Sequence, residues 1–131
     1  MAKAKVYRDT MNLLYLIDKI TKDKGLPKRY RFGWFSEIQR ISAEMLAEWH
    51  TSQLSTSAAE KSEHLTRFII KLNTIYSLLE ILIAVQALPD SKLLRIFVQL
   101  DEIQKQIRGI RKYILNNAGV VTASDDECAV S

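Results

Sequence analysis

An all-α chain folded as an up-down-up-down antiparallel four-helix bundle is predicted by three observations. Apolar residues recur at intervals of three and four through four long segments, the period of a helix with one buried face. No stretch alternates apolar and polar residues as a half-buried strand would. The chain has 131 residues, 47% of them hydrophobic and 26% charged, which is one domain's worth of soluble sequence, able to bury a core without disulfide staples.

The first segment runs from about Val6 to Lys24. Tyr7, Met11, Leu14, Ile17 and Ile20 follow one another at three or four and predict its core face. Lys5, Arg8, Asn12, Tyr15, Lys19 and Lys22 make a second row at the same spacing, with no acidic member. A solvated helix face explains such a row; a single sign of charge favours a binding row instead.

Next comes Leu26-Pro27-Lys28-Arg29-Tyr30-Arg31-Phe32-Gly33-Trp34-Phe35, with three cations and four aromatics in ten residues. Pro27 disfavours helical backbone at Leu26, and Gly25 and Gly33 bracket the stretch, so it reads as a connection. Its cations and rings suit a phosphate backbone and stacked bases. Alternatively, the aromatics fold inward and plug the end of the core.

A second helix is expected to start near Trp34 to Ser36, with Ser36 as N-cap, and to bury Phe35, Ile38, Ile41 or Ser42, Met45 and Trp49. Glu37, Gln39, Arg40, Glu44 and Glu48 fill the wet side, and Thr51 to Ser57 reads as a loop or frayed end. Helix resumes near Ala58 or Ser62. From Ile75 to Leu88 this third segment has almost no polar side. It is too short to span a bilayer, which takes about twenty apolar residues. A helix apolar on most sides is buried on most sides, so Ile75, Tyr76, Leu79 and Ile83 are expected to touch another subunit, with Glu80 needing a partner there.

Pro89-Asp90-Ser91 is a compact stop and restart, with Asp90 or Ser91 as cap. The fourth helix then runs from about Lys92 to Asn117 on Leu93, Ile96 or Phe97, Leu100, Ile103, Ile107, Ile110 and Ile114. Lys105, Arg108, Arg111 and Lys112 share an arc on its outer side. Residues 1–117 thus form the bundle, and residues 118–131 are expected to be a disordered acidic tail.

The net charge of +4 is unevenly spread. Residues 1–31 hold nine Lys or Arg against three Asp, residues 32–88 four against six acids, and residues 89–117 six against three. In an up-down-up-down bundle the first and fourth helices are adjacent, so their basic faces are expected to merge into one positive surface that favours polyanions, RNA or DNA first. Cys128 is the sole cysteine, which excludes a disulfide framework within one chain and suits a reducing cytoplasm. The N-terminal apolar run is too short and too charged for a usual signal peptide. His50 and His64 have no neighbours placed as metal ligands, and no glycine-rich phosphate loop is present. The small helical ribonucleases of the HEPN type pair an Arg with a His a few residues later, whereas Arg40 and His50 are ten apart. The chain therefore reads as a non-enzyme with no cofactor.

Leu26-Pro27-Lys28-Arg29-Tyr30-Arg31-Phe32, followed by Ile38-x-x-Ile41-x-x-x-Met45-Leu46, resembles the signature of the four-helix bundle family that includes the accessory variability determinant of diversity-generating retroelements. That family also includes proteins encoded in ribosomal RNA intervening sequences. The likeness covers about residues 5 to 116. It implies a pentameric barrel of protomers with a positive surface, binding RNA and DNA and associating with a reverse transcriptase to support mutagenic reverse transcription. From the charge rows and the basic-aromatic loop, the candidate nucleic-acid-binding residues are Lys5, Arg8, Tyr15, Lys19, Lys22, Lys28, Arg29, Tyr30, Arg31, Lys105, Arg108, Arg111 and Lys112. The chain departs from many retroelement members at Gly109-Ile110-Arg111, where they carry a Gly-Trp pair. A purely protein-binding adaptor, or an intervening-sequence type of protein without a reverse transcriptase, are the alternatives.

Overall fold

The computed structural model describes residues 5–22, 26–29, 33–85 and 89–118. Four helices account for nearly all of them: α1 (Lys5–Thr21), α2 (Trp34–Leu54), α3 (Ala58–Ala84) and α4 (Asp90–Asn117). No strand occurs among the described residues.

Each helix packs on its neighbours in a closed order, α1 on α2, α2 on α3, α3 on α4 and α4 on α1. The register of the contacts shows that every neighbouring pair is antiparallel. The Tyr7 ring meets the His50 ring edge-on at 5.7 Å, joining the start of α1 to the end of α2. Glu48 near the end of α2 reaches His64 near the start of α3, and Glu44, one turn earlier, reaches Lys71, two turns later. Tyr76 packs on Phe97 while Asn73 meets Gln104, so α4 runs back along α3. Asp9 takes the Gln99 amide on its backbone carbonyl, and Lys5, one turn earlier, faces Glu102. The result is an up-down-up-down bundle.

The core forms where apolar rows of the four helices meet. α2 buries Phe35, Ile38, Ile41, Ser42, Met45 and Trp49 as its spacing predicts, and the Ser42 hydroxyl is satisfied by the Ile38 carbonyl one turn back. α4 buries Leu93, Ile96, Leu100, Ile103 and Ile107, with Ile110 and Ile114 packed at the margin. Burying each such side chain contributes about 1.5–3 kcal/mol.

α1 departs from expectation. Val6, Thr10, Leu13, Leu16 and Ile17 are buried, whereas Met11 is 42% exposed. The cause is degeneracy: Leu13-Leu14 and Leu16-Ile17 offer two apolar rows, and the one chosen runs through Thr10.

Boundaries shift by local chemistry. α2 begins at Trp34 with Gly33, not Ser36, in the capping position. A Cβ on Gly33 would stand 3.2 Å from the Arg29 carbonyl oxygen, a close approach that favours glycine. α2 continues to Leu54, and α3 starts at Ala58, where the Ser57 hydroxyl accepts the Glu60 N–H at 3.0 Å and Glu60 adds negative charge to the first turn. Pro89, not Asp90 or Ser91, takes the capping place of α4, its φ of −70° being suited to helix entry.

α3 requires a correction. Ile75 and Leu79 are 0% exposed within the protomer's own core, so neither is available to a second subunit. Tyr76 and Ile83 are half-buried against α4 and the core margin. Glu80 is exposed and needs no buried partner. The apolar residues left open lie on the opposite side of α3, at Ile70 and Ile81, and at Val85 just past its end. Among the described residues no helix is long and apolar enough to cross a membrane. The expected acidic tail lies outside the described residues.

Candidate nucleic-acid interface

The cationic row of α1 stands where its spacing puts it. Lys5, Arg8, Asn12, Tyr15, Lys19 and Lys22 are all exposed, on the side of the helix opposite Leu13 and Ile17. The row spans the whole helix, about 26 Å at 1.5 Å per residue. Its ends are tempered by carboxylates: Lys5 pairs with Asp9 at 3.0 Å and lies 3.8 Å from Glu102, and Lys22 pairs with Asp18 at 3.0 Å. Such exposed pairs are weak, of the order of 0.3–0.5 kcal/mol, and leave the cations available.

Asp9 is the hinge between α1 and α4. Burial pushes its carboxyl up, but hydrogen bonds from Gln106, Lys5 and Gln99 and the charge of Lys5 together outweigh that and hold it below the ordinary carboxylate range. The Gln106 amide donates to it at 2.6 Å.

Beyond α1, Leu26 is buried and tethers the connection to the core, while Pro27, Lys28 and Arg29 are exposed, the two cations lying in a helical turn. Trp34 packs half-buried against the core and Phe35 is fully buried, so these two rings plug the bundle and are not contact surface. Tyr30, Arg31 and Phe32 lie outside the described residues.

The expected merger of the α1 and α4 cations is only partial. Antiparallel register places Lys28 and Arg29 at the end of the bundle where α4 begins, and Lys105 to Lys112 toward the other end. The row of α4 that faces α1 is Gln99, Glu102 and Gln106. Gln104 faces α3 through Asn73, and Arg108 and Arg111 follow it at four and seven positions, so both half-buried arginines lie on the α3 side. Lys105 and Lys112 are exposed, and Lys105 joins Lys5 at one groove.

That groove was not foreseen. It opens between the first turn of α1 and the second half of α4, holds about 450 Å³, and is lined by Val6, Gln106, Gly109, Ile110 and Tyr113 between the two lysines. The available signal was the run Lys105, Gly109, Tyr113, a row at intervals of four with a glycine where a side chain would stand.

Arg40 bridges Glu37 and Glu44, and His64 is half-buried with its Nδ1 3.0 Å from Glu48. Among the described residues no three His, Cys, Asp or Glu side chains converge.

No protein-family model, curated protein or solved structure matches this chain.

Proposed function

We propose that this protein is a non-enzymatic nucleic-acid-binding accessory subunit, with the α1 row and the Lys28-Arg29 turn as its phosphate-binding surface. The observation that carries the reading is the exposed, all-basic or neutral row Lys5, Arg8, Asn12, Tyr15, Lys19 and Lys22. A cationic row running the length of a small protein, with carboxylates paired only at its ends, attracts polyanions and gains affinity by releasing their counterions. Tyr15, exposed within the row, supplies a ring on which a base can stack.

The resemblance carried by Pro27-Lys28-Arg29-Tyr30-Arg31 extends the proposal to a diversity-generating retroelement, with template RNA and a reverse transcriptase as partners and a pentamer as the assembly. Ile81 and Val85, exposed together at the end of α3, support copy-to-copy contact.

The test is RNA binding followed by fluorescence anisotropy across a salt series, with light scattering for the assembly. Affinity that falls steeply with salt is expected. A protomer that ignores RNA at low salt refutes the proposal, and salt-insensitive capture of a protein partner would favour the adaptor instead.

A further inference from the structure

The groove between α1 and α4 combines features that neither an apolar side chain nor a lone phosphate requires together. Its volume of about 450 Å³ falls within the range of small-ligand sites, about 300–1,000 Å³. Val6 and Ile110 give it an apolar lining. Gly109 deepens it, since a Cβ there meets nothing within 4 Å. At its rim Tyr113 is 68% exposed, a large ring with a free face. Two cations bracket it. Lys5 shares its charge with Asp9 and Glu102, while Lys105 is exposed and forms no ion pair with a described residue.

An unpaired nucleotide has matching parts: a flat π-face for the ring and the apolar lining, and a phosphate for the ammonium group. We propose that this groove takes one unpaired base of a single strand, stacked on Tyr113 above Gly109, with the adjoining phosphate at Lys105. In a duplex both faces of a base are already stacked, so the groove confers a preference for single strands. This inference rests on the polyanion reading above and deepens it.

The experiment compares a fluorescein-labelled uridine homopolymer with a duplex of equal length, by anisotropy at low salt. The single strand is expected to bind about tenfold or more tightly than the duplex, the scale of one stacked base. Tyr113→Ala, at an exposed position, is expected to erase about tenfold of single-strand affinity and leave duplex affinity unchanged. Gly109→Leu fills the notch with a better helix former and is expected to do the same. Circular dichroism confirms that both variants fold. Equal affinity for the two probes, or a preference that survives in both variants, overturns the groove assignment and leaves the polyanion reading standing. Failure of both probes to bind refutes that reading itself. If Gly109→Leu instead dissociates an assembly seen by light scattering, with the preference intact, the groove belongs to a second copy and the inference is overturned.

Discussion

Neutralising two cations of the long basic row and one of the turn beyond it gives the sharpest test of how this surface works. Arg8, Lys19 and Lys28 are exposed and form no ion pair with any described residue, unlike Lys5 and Lys22. Replacing all three with Gln therefore removes three charges without stranding a carboxylate. Each phosphate neutralised on a single strand contributes about −0.7 to the slope of log affinity against log salt concentration, so the triple variant is expected to flatten that slope by about 2. Folding stability should stay within about 0.5 kcal/mol, because the positions are solvent-facing. The assay is anisotropy with a labelled single strand at four or more salt concentrations, with urea denaturation as the folding control. An unchanged slope in a stable variant would show that the strand is held elsewhere and refute the row as the binding surface.

Other perturbations probe the scaffold. Gly109→Ala, in a helix interior with open space at Cβ, is expected to stabilise by about 1 kcal/mol, raising Tm by about 4 °C in a calorimetric scan. Thr10 is fully buried and its hydroxyl has no hydrogen-bond partner among the described residues; Thr10→Val is expected to gain about 1 kcal/mol in urea denaturation by removing that unmet group. Asp9→Ala removes the carboxylate that ties α1 to α4 and is expected to cost about 1.5–3 kcal/mol. Because the folded state holds the Asp9 carboxyl below its ordinary value, its contribution is complete above about pH 4 and fades as pH falls through the lower folded value. The gap in stability between wild type and Asp9→Ala should accordingly narrow in acid. Leu79→Ala, in the protomer core, should cost about 2–5 kcal/mol, whereas Ile81→Ser on the outer face should spare stability and weaken any self-association seen by light scattering.

The fold was legible because two of the four helices have one unambiguous apolar row and the other two are apolar enough to be helical on any choice of row. In α2, Phe35, Ile38, Met45 and Trp49 have no competing row, and in α4 the isoleucines at 96, 103 and 107 have none either. In α1 adjacent leucines offered two rows, and Thr10 disguised the true one. In α3 the run Ile75 to Leu88 is so uniformly apolar that periodicity has little contrast, which is how Ile75 and Leu79 came to be read as outward. The exposure of the α1 cationic row was legible because an uninterrupted sign of charge at helical spacing has few other placements. The groove was not, because it depends on the register between α1 and α4, and nothing local in either helix encodes that Lys5 and Lys105 end up together. The same register separates Arg108 and Arg111 from α1.

The helix that carries the basic row also works as a ruler. Seventeen residues of α1 extend about 26 Å, and phosphates along one strand of a duplex are spaced about 3.4 Å, so the proposed surface matches about seven or eight nucleotides of one strand. On the proposed reading, a strand longer than that is covered only by several molecules set side by side, so binding should saturate in steps of that length.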